Sequence, residues 1–191
     1  MKLELYFPVK SWVVTQNFGE NQLALYASYG LKGHNGMDIR AYHGQPVYSA
    51  HDGEVVYAGA DSSEGWGVVV RTLEPRDYNG GTAYIKSIYW HLIKTIPVKV
   101  GQKVKAGDLI GYADNTGAST GDHLHFGIKP QSKGENDWTW WNTEQANGYN
   151  GAINPAPYFN NYYAQDAQLV LGIYRKIIEL LKLAIRQPVD N

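Results

Sequence analysis

Between Pro46 and Ile128 the chain is written in short apolar runs punctuated by glycine. Val47 to Tyr57, Gly67 to Thr72, Thr82 to His91 and Leu124 to Ile128 are the clearest of them. Runs of this length, rich in β-branched and aromatic residues and bounded by turn formers, read as strands. Their regular spacing constrains the fold more than any other feature: short strands repeated in this way build a sandwich or a barrel-like pair of sheets, so the chain is expected to be mainly β.

Inside this region, Val98-Lys-Val-Gly-Gln-Lys-Val-Lys-Ala-Gly-Asp-Leu-Ile-Gly111 repeats an apolar residue and a glycine at short intervals. Tight hairpins packed against each other would require such a rhythm. Lipoyl and biotinyl carrier domains have a similar one, so the stretch by itself assigns no function.

The flanks differ. Lys129 to Asn154 is polar and rich in Gly and Asn yet contains Trp138, Trp140 and Trp141, which predicts a long structured loop, either capping the core or lying over a groove. From Gln165 to Arg186 prolines are absent, and Val170, Ile173, Ile177, Leu181 and Ala184 recur at helical spacing. This predicts one amphipathic helix, carrying Arg175, Lys176, Lys182 and Arg186, that docks on its own domain, self-associates, or attaches to a membrane surface or larger assembly. The expected organisation is therefore a β domain over 1–160 and a helical extension over 161–191.

Charge and composition exclude some functions. Seventeen basic and eighteen acidic residues give a net charge of −1, with no Lys/Arg run of the kind that tracks a phosphate backbone, so nucleic acid is not an expected partner. No stretch reaches the roughly 18 consecutive apolar residues of a membrane-spanning helix. Cysteine is absent, which removes disulfides, thiolate metal sites and Cys nucleophiles together. His, Asp and Glu remain as ligands for a transition metal. Met1 to Lys10 carries Glu4, Pro8 and Lys10 where a signal would be apolar, so it does not read as a secretory leader.

Four of the six histidines and one aspartate fall into three short constellations: Gly33-His-Asn-Gly-Met-Asp38, Tyr89-Trp-His-Leu92 and Gly121-Asp-His-Leu-His-Phe126. In the third, an extended strand places His123 and His125 on one face while Leu124 and Phe126 point to the core. A catalytic zinc ion typically takes three His, Asp or Glu ligands and keeps a fourth position for water, whose pKa falls to about 7. His34, Asp38 and one member of the strand pair could supply that set. His91 and the other member would then exchange protons with the reactants or stabilise developing charge. Each motif alone arises by chance. His43 and His51 lie outside the pattern in turn-like surroundings and read as ordinary surface histidines.

Taken in order, Gly-His-Asn-Gly-Met-Asp, Pro-Val-Tyr-Ser-Ala-His-Asp-Gly-Glu-Val, Tyr-Trp-His-Leu, Val-Gly-Gln-Lys-Val-Lys-Ala-Gly-Asp-Leu-Ile-Gly and Asn-Thr-Gly-Ala-Ser-Thr-Gly-Asp-His-Leu-His-Phe closely resemble the lysostaphin and LytM family of peptidoglycan metallopeptidases. The resemblance runs from about Gln16 to Tyr158. It implies a compact antiparallel β-sheet domain of barrel-sandwich type, with the metal on the floor of a groove. It further implies that His34, Asp38 and His125 bind Zn2+ and that His91 and His123 are the catalytic pair. Family members use a tyrosine shortly before the first zinc histidine, for which Tyr26 and Tyr29 are both candidates. Two departures stand out: Asp122 where the family usually has proline, and Gly127 where it often has glutamate.

The expected activity is zinc-dependent hydrolysis of peptide bonds in stem peptides or cross-bridges of bacterial peptidoglycan. The alternative is a non-catalytic wall-binding or amidase-activating module with a residual metal site. The bond cut is left open, because it depends on groove walls such as Asp61 to Gly67 and the tryptophan segment. Expected settings are a phage lysin released at lysis or an enzyme exported to the wall by another route.

Overall fold

The computed structural model describes residues 1–11, 13–21, 25–131, 147–160 and the pair 176–177. The chain divides into two units, Met1–Phe159 and Asn160–Asn191, and among the described residues every strand belongs to the first. Its strands are β1 (Val14–Gln16), β2 (Met37–Arg40), β3 (Pro46–Tyr48), β4 (Gly53–Asp61), β5 (Gly65–Thr72), β6 (Arg76–Tyr78), β7 (Gly81–Leu92), β8 (Lys103–Val104), β9 (Leu109–Tyr112) and β10 (His123–Gln131). One short helix, α1 (Leu25–Ser28), precedes β2.

Eight strands form one antiparallel sheet in the order β1-β2-β10-β7-β5-β4-β8, with β6 added along β7, and β3 and β9 form a second, two-stranded sheet. Alternation along the strands sorts side chains between two faces. Val55, Val68, Val70, Ile85, Tyr89, Leu124, Phe126 and Ile128 enter the main core, joined by Leu3, Leu5 and Val9 from the N-terminal segment and Val47 and Ile110 from the small sheet. Val56, Val69, Ile88 and Trp90 make a smaller buried cluster. Gly67 is required between these neighbours: a Cβ there would lie 1.9 Å from the Trp90 ring.

Several expectations are corrected. The run Val47 to Tyr57 is two strands in different sheets, separated by a turn at residues 49–52 whose Ala50 carbonyl accepts from Tyr6 N at 2.7 Å. The Val98 to Gly111 stretch does make tight turns, with positive φ at Gly101 and Gly107, but its strands do not pack as hairpins against each other. Instead β8 pairs with β4 and β9 with β3, each meeting a partner laid down some fifty to sixty-five residues earlier. Lys129 to Gln131 continue β10 rather than opening a loop.

The tryptophans at 138, 140 and 141 lie outside the described residues, as does the expected helix from Gln165 to Arg186 apart from Lys176 and Ile177, which are helical and exposed. Among the described residues no helix is long and apolar enough to cross a membrane.

Candidate metal centre

The site forms where β2, β10 and β7 lie side by side. Asp38 on β2 stands directly opposite His125 on β10, and His125 opposite Trp90 on β7. Because Ile39 and Leu124 are the adjacent pair and point to the core, Asp38 and His125 share the other face. His34 reaches the same point from the loop before β2 and is 3% exposed. Gly36 explains the glycine between His34 and Asp38: a Cβ there would stand 2.6 Å from His125 Nε2 and 2.7 Å from the Phe126 carbonyl.

Three donor atoms converge. His34 Nε2 and His125 Nδ1 are 3.0 Å apart, and Asp38 Oδ1 is 3.2 Å from the first and 3.1 Å from the second. His34 Nδ1 lies 3.3 Å from the Asn17 carbonyl, which can only accept, so the ring proton sits on that nitrogen and Nε2 presents a lone pair. Tetrahedral zinc with bonds of about 2.0–2.1 Å places its ligand atoms roughly 3.3 Å apart. Two imidazoles and a carboxylate in a near-equilateral triangle of 3.0–3.2 Å therefore fit zinc in both chemistry and size.

Two more imidazoles face this triangle. His91 and His123 have ring centroids 4.6 Å apart, and His123 Nε2 lies 3.5 Å from Asp38 Oδ1. Each is oriented by a backbone carbonyl: His91 Nδ1 donates to Thr116 O at 2.7 Å, and His123 Nδ1 to Gly121 O at 2.8 Å. His91 thus keeps Nε2 as an acceptor, while Nε2 of His123 is turned towards the Asp38 carboxylate.

His91 reaches the site by breaking the pattern of its strand. Alternation from Tyr89 would point it into the core, but the pairing with β5 shifts between Trp66↔Leu92 and Val68↔Tyr89, so β7 carries one extra residue there. His91 adopts φ 61°, rare for a residue other than glycine, and Leu92 returns to the core.

The charges respond to this arrangement. Burial opposes the charged form of Asp38, yet the imidazoles of His123, His125 and His34 gathered around it hold its carboxyl far below the usual carboxylate range. Burial, followed by the neighbouring His125 and His123, pushes His91 down to about 4. Burial also works against the charged form of His123, but the Asp38 carboxylate outweighs it and raises that ring.

All five residues singled out from the sequence stand within this one cluster. Tyr26 joins it, its ring centroid 5.7 Å from that of His34, whereas Tyr29 is 61% exposed. His43 is at the surface, 2.8 Å from Asp114 Oδ1, as expected. His51 is not a surface residue: it is 5% exposed, its Nε2 has no partner, and burial pushes it down to about 4. Its turn is met by the N-terminal segment, a contact that local sequence does not encode. The carbonyls of Asn17, Thr116 and Gly121 were also beyond sequence reasoning, since any residue supplies one.

A cavity of about 180 Å³ opens beside His125, lined by Trp90, Ile88, Gly127 and Lys129 along the sheet and by Asp61 and Glu64 from the β4–β5 turn. Gly127 tolerates a Cβ, whose nearest neighbours would be 3.4 Å and further away.

Residues 32–137 match the family model for peptidase family M23. The chain is 37% identical over 121 residues to the peptidoglycan DD-endopeptidase ShyA of Vibrio cholerae, covering 63% of this chain and 26% of that protein. It is 40% identical over 99 residues to lysostaphin of Staphylococcus simulans, covering 51% of this chain and 18% of that protein. The chain thus spans about a quarter or less of the length of these relatives. Among solved structures, a zinc-containing peptidase from Vibrio cholerae superposes with a TM-score of 0.56 at 26% identity, covering 81% of this chain and 39% of that one.

Proposed function

This chain belongs to peptidase family M23, and from that premise we propose that it hydrolyses peptide bonds in the stem peptides or cross-bridges of bacterial peptidoglycan. The observation that carries the reading is the triangle of His34 Nε2, Asp38 Oδ1 and His125 Nδ1, with two further imidazoles facing it beside an open cavity. A second support is that the relatives named above include a peptidoglycan endopeptidase and lysostaphin.

In this reading His34, Asp38 and His125 hold zinc. When bound there, the ion supplies a Lewis acid that makes water nucleophilic near neutral pH and polarises the peptide carbonyl. The rest falls to the chain's own side chains. His91 and His123, fixed through Nδ1 by the Thr116 and Gly121 carbonyls, present Nε2 to the reacting groups. One ring takes a proton as the water oxygen bonds to the carbonyl carbon, and that same proton passes by way of the pair to the amide nitrogen as the C–N bond breaks. Tyr26 is the tyrosine placed to assist, since it stands beside His34 and its phenol is kept protonated by burial and then by Asp38.

Zinc-loaded protein should release peptide fragments from purified cell walls, and mass spectrometry of walls with different cross-bridges would identify the bond. His34→Ala and Asp38→Ala should lose bound zinc and activity together. His91→Ala should keep its zinc and lose about 10²- to 10⁴-fold in turnover, the usual contribution of a positioned proton-transfer group. A folded, zinc-loaded preparation that leaves both glycine-bridged and directly cross-linked walls intact refutes the proposal.

A further inference from the structure

The loop between β9 and β10, residues 113–122, supplies the acceptors of both rings that face the metal triangle. Thr116 O takes the Nδ1 proton of His91 and Gly121 O that of His123, with Ser119 Oγ also 3.2 Å from the second ring. Within the loop Ser119 Oγ donates to Gly121 O at 2.9 Å and Ser119 N to Gly117 O at 2.9 Å, so the two carbonyls belong to one hydrogen-bonded piece. Whatever fixes that piece decides where the rings point.

The β4–β5 turn fixes it from the side of the cavity, which the turn walls through Asp61, Ser63 and Glu64. Asp61 Oδ1 sets the shape of the turn by accepting from Ser63 N, Ser63 Oγ and Glu64 N at 2.7–3.0 Å. The turn is then bonded to the loop twice: Ala118 N donates to Ser63 O at 2.7 Å, and Trp66 N to Thr116 Oγ1 at 3.1 Å. Between these two bonds the backbones touch, and each chain has a glycine at the contact. A Cβ on Gly65 would lie 2.7 Å from Thr116 O and closer still to its carbonyl carbon, the group that holds His91. A Cβ on Gly117 would meet Gly65 N and the Glu64 carbonyl. Both glycines adopt left-handed backbone, with φ 76° and 79°.

His91 lies in the bulge of β7, outside the ladder to β5, so its ring takes its aim from the Thr116 carbonyl. A side chain at position 65 would have to push that carbonyl by about 0.7 Å, from 2.7 Å to ordinary contact at 3.4 Å. Misplacement of a reacting group on this scale slows a reaction by up to about a hundredfold.

We infer that Gly65 is a positioning residue for His91: through its contact with the Thr116 carbonyl, the wall that meets the peptide is also the support of the ring that moves the proton. The inference rests on the peptidase reading and adds to it that this wall governs turnover as well as binding.

Zinc-loaded Gly65→Ala should keep its metal and lose about ten- to a hundredfold in kcat, with a smaller change in KM, on a wall peptide that the wild type cuts. A second readout needs no substrate. In protein carrying isotope-labelled histidine, the Nδ1–H of His91 is identified by its absence from His91→Gln. In Gly65→Ala it should exchange with water about tenfold faster, the weight of one hydrogen bond. The Nδ1–H of His34, held by Asn17 O, should not change. Gly101→Ala is the control: its φ is 84° but its Cβ meets no heavy atom within 4 Å, so it brings the same backbone strain without the collision and should leave both readouts as in the wild type. Should Gly65→Ala not fold, Asp61→Ala loosens the same turn without adding an atom, and the same two losses are expected of it. An unaltered kcat or an unaltered His91 Nδ1–H in the folded variant overturns the inference and leaves the peptidase reading standing. If the wild type cuts no peptide or wall, the peptidase reading fails, and the exchange of the His91 proton still decides the positioning.

Discussion

Replacing Gly36 with alanine isolates the packing that aims His125. The added Cβ would lie 2.6 Å from His125 Nε2, 2.7 Å from its Cε1 and 2.7 Å from the Phe126 carbonyl, about 0.8 Å short of ordinary contact. The carbonyl belongs to β10 and cannot yield without disturbing its ladder to β2 and β7. The ring is the softer neighbour. Yet His125 Nδ1 must stay near His34 Nε2 and Asp38 Oδ1, now 3.0 and 3.1 Å away, and metal sites tolerate displacements of about 0.5 Å. Overpacking of this kind lowers stability by about 1–3 kcal/mol. Displacing the ligand should weaken zinc binding by about ten- to a hundredfold, as loss of ligand orientation does elsewhere. Competition against a chromogenic chelator measures the affinity, and urea unfolding the stability. Gly127→Ala is the control, because its Cβ finds only ordinary contacts at 3.4 Å and beyond. If Gly36→Ala binds zinc like the wild type, this packing does not position His125 and the reasoning fails.

Two further outcomes follow from the same geometry. His51 is buried and pushed down from 6.5 to about 4, so it stays neutral in the folded state while the unfolded chain takes up a proton below 6.5. The stability it contributes is complete above about pH 6.5 and is lost as pH falls towards 4, on the order of 3 kcal/mol over that window. Urea titrations at pH 7.5 and 4.5 should show a smaller acid loss in His51→Gln, and equal losses would contradict this. Thr116 Oγ1 accepts from Trp66 N at 3.1 Å and donates to Leu92 O at 2.8 Å, fixing the carbonyl that orients His91. Thr116→Val should therefore destabilise by about 1–3 kcal/mol and lower kcat with zinc content unchanged. Unaltered kcat would show that the His91 ring does not depend on this anchor.

What could be read in the sequence was what alternation and ligand chemistry encode. The two-residue period placed His123 and His125 together and sent Leu124 and Phe126 inward, and the lack of cysteine confined any metal to His and carboxylates. Partnership between distant strands was not legible. The turns at Gly101 and Gly107 were visible, but nothing local says that β8 must find β4 and β9 must find β3. Likewise His51 looked exposed because the segment that meets its turn begins forty-odd residues earlier, at Tyr6. His91 was named for its neighbours in the sequence, while the bulge that turns it out of the core is a property of how β7 meets β5. The ring-holding carbonyls of Asn17, Thr116 and Gly121 have no side-chain signature at all.

The left-handed backbone at His91 sets durability and use against each other at one residue. An imidazole is held where glycine would rest more comfortably, and such a residue carries a strain on the order of 1 kcal/mol that the surrounding strands must absorb. A lineage that stopped needing the reaction would be free to relax this kink, and its descendants would grow sturdier as they fell silent.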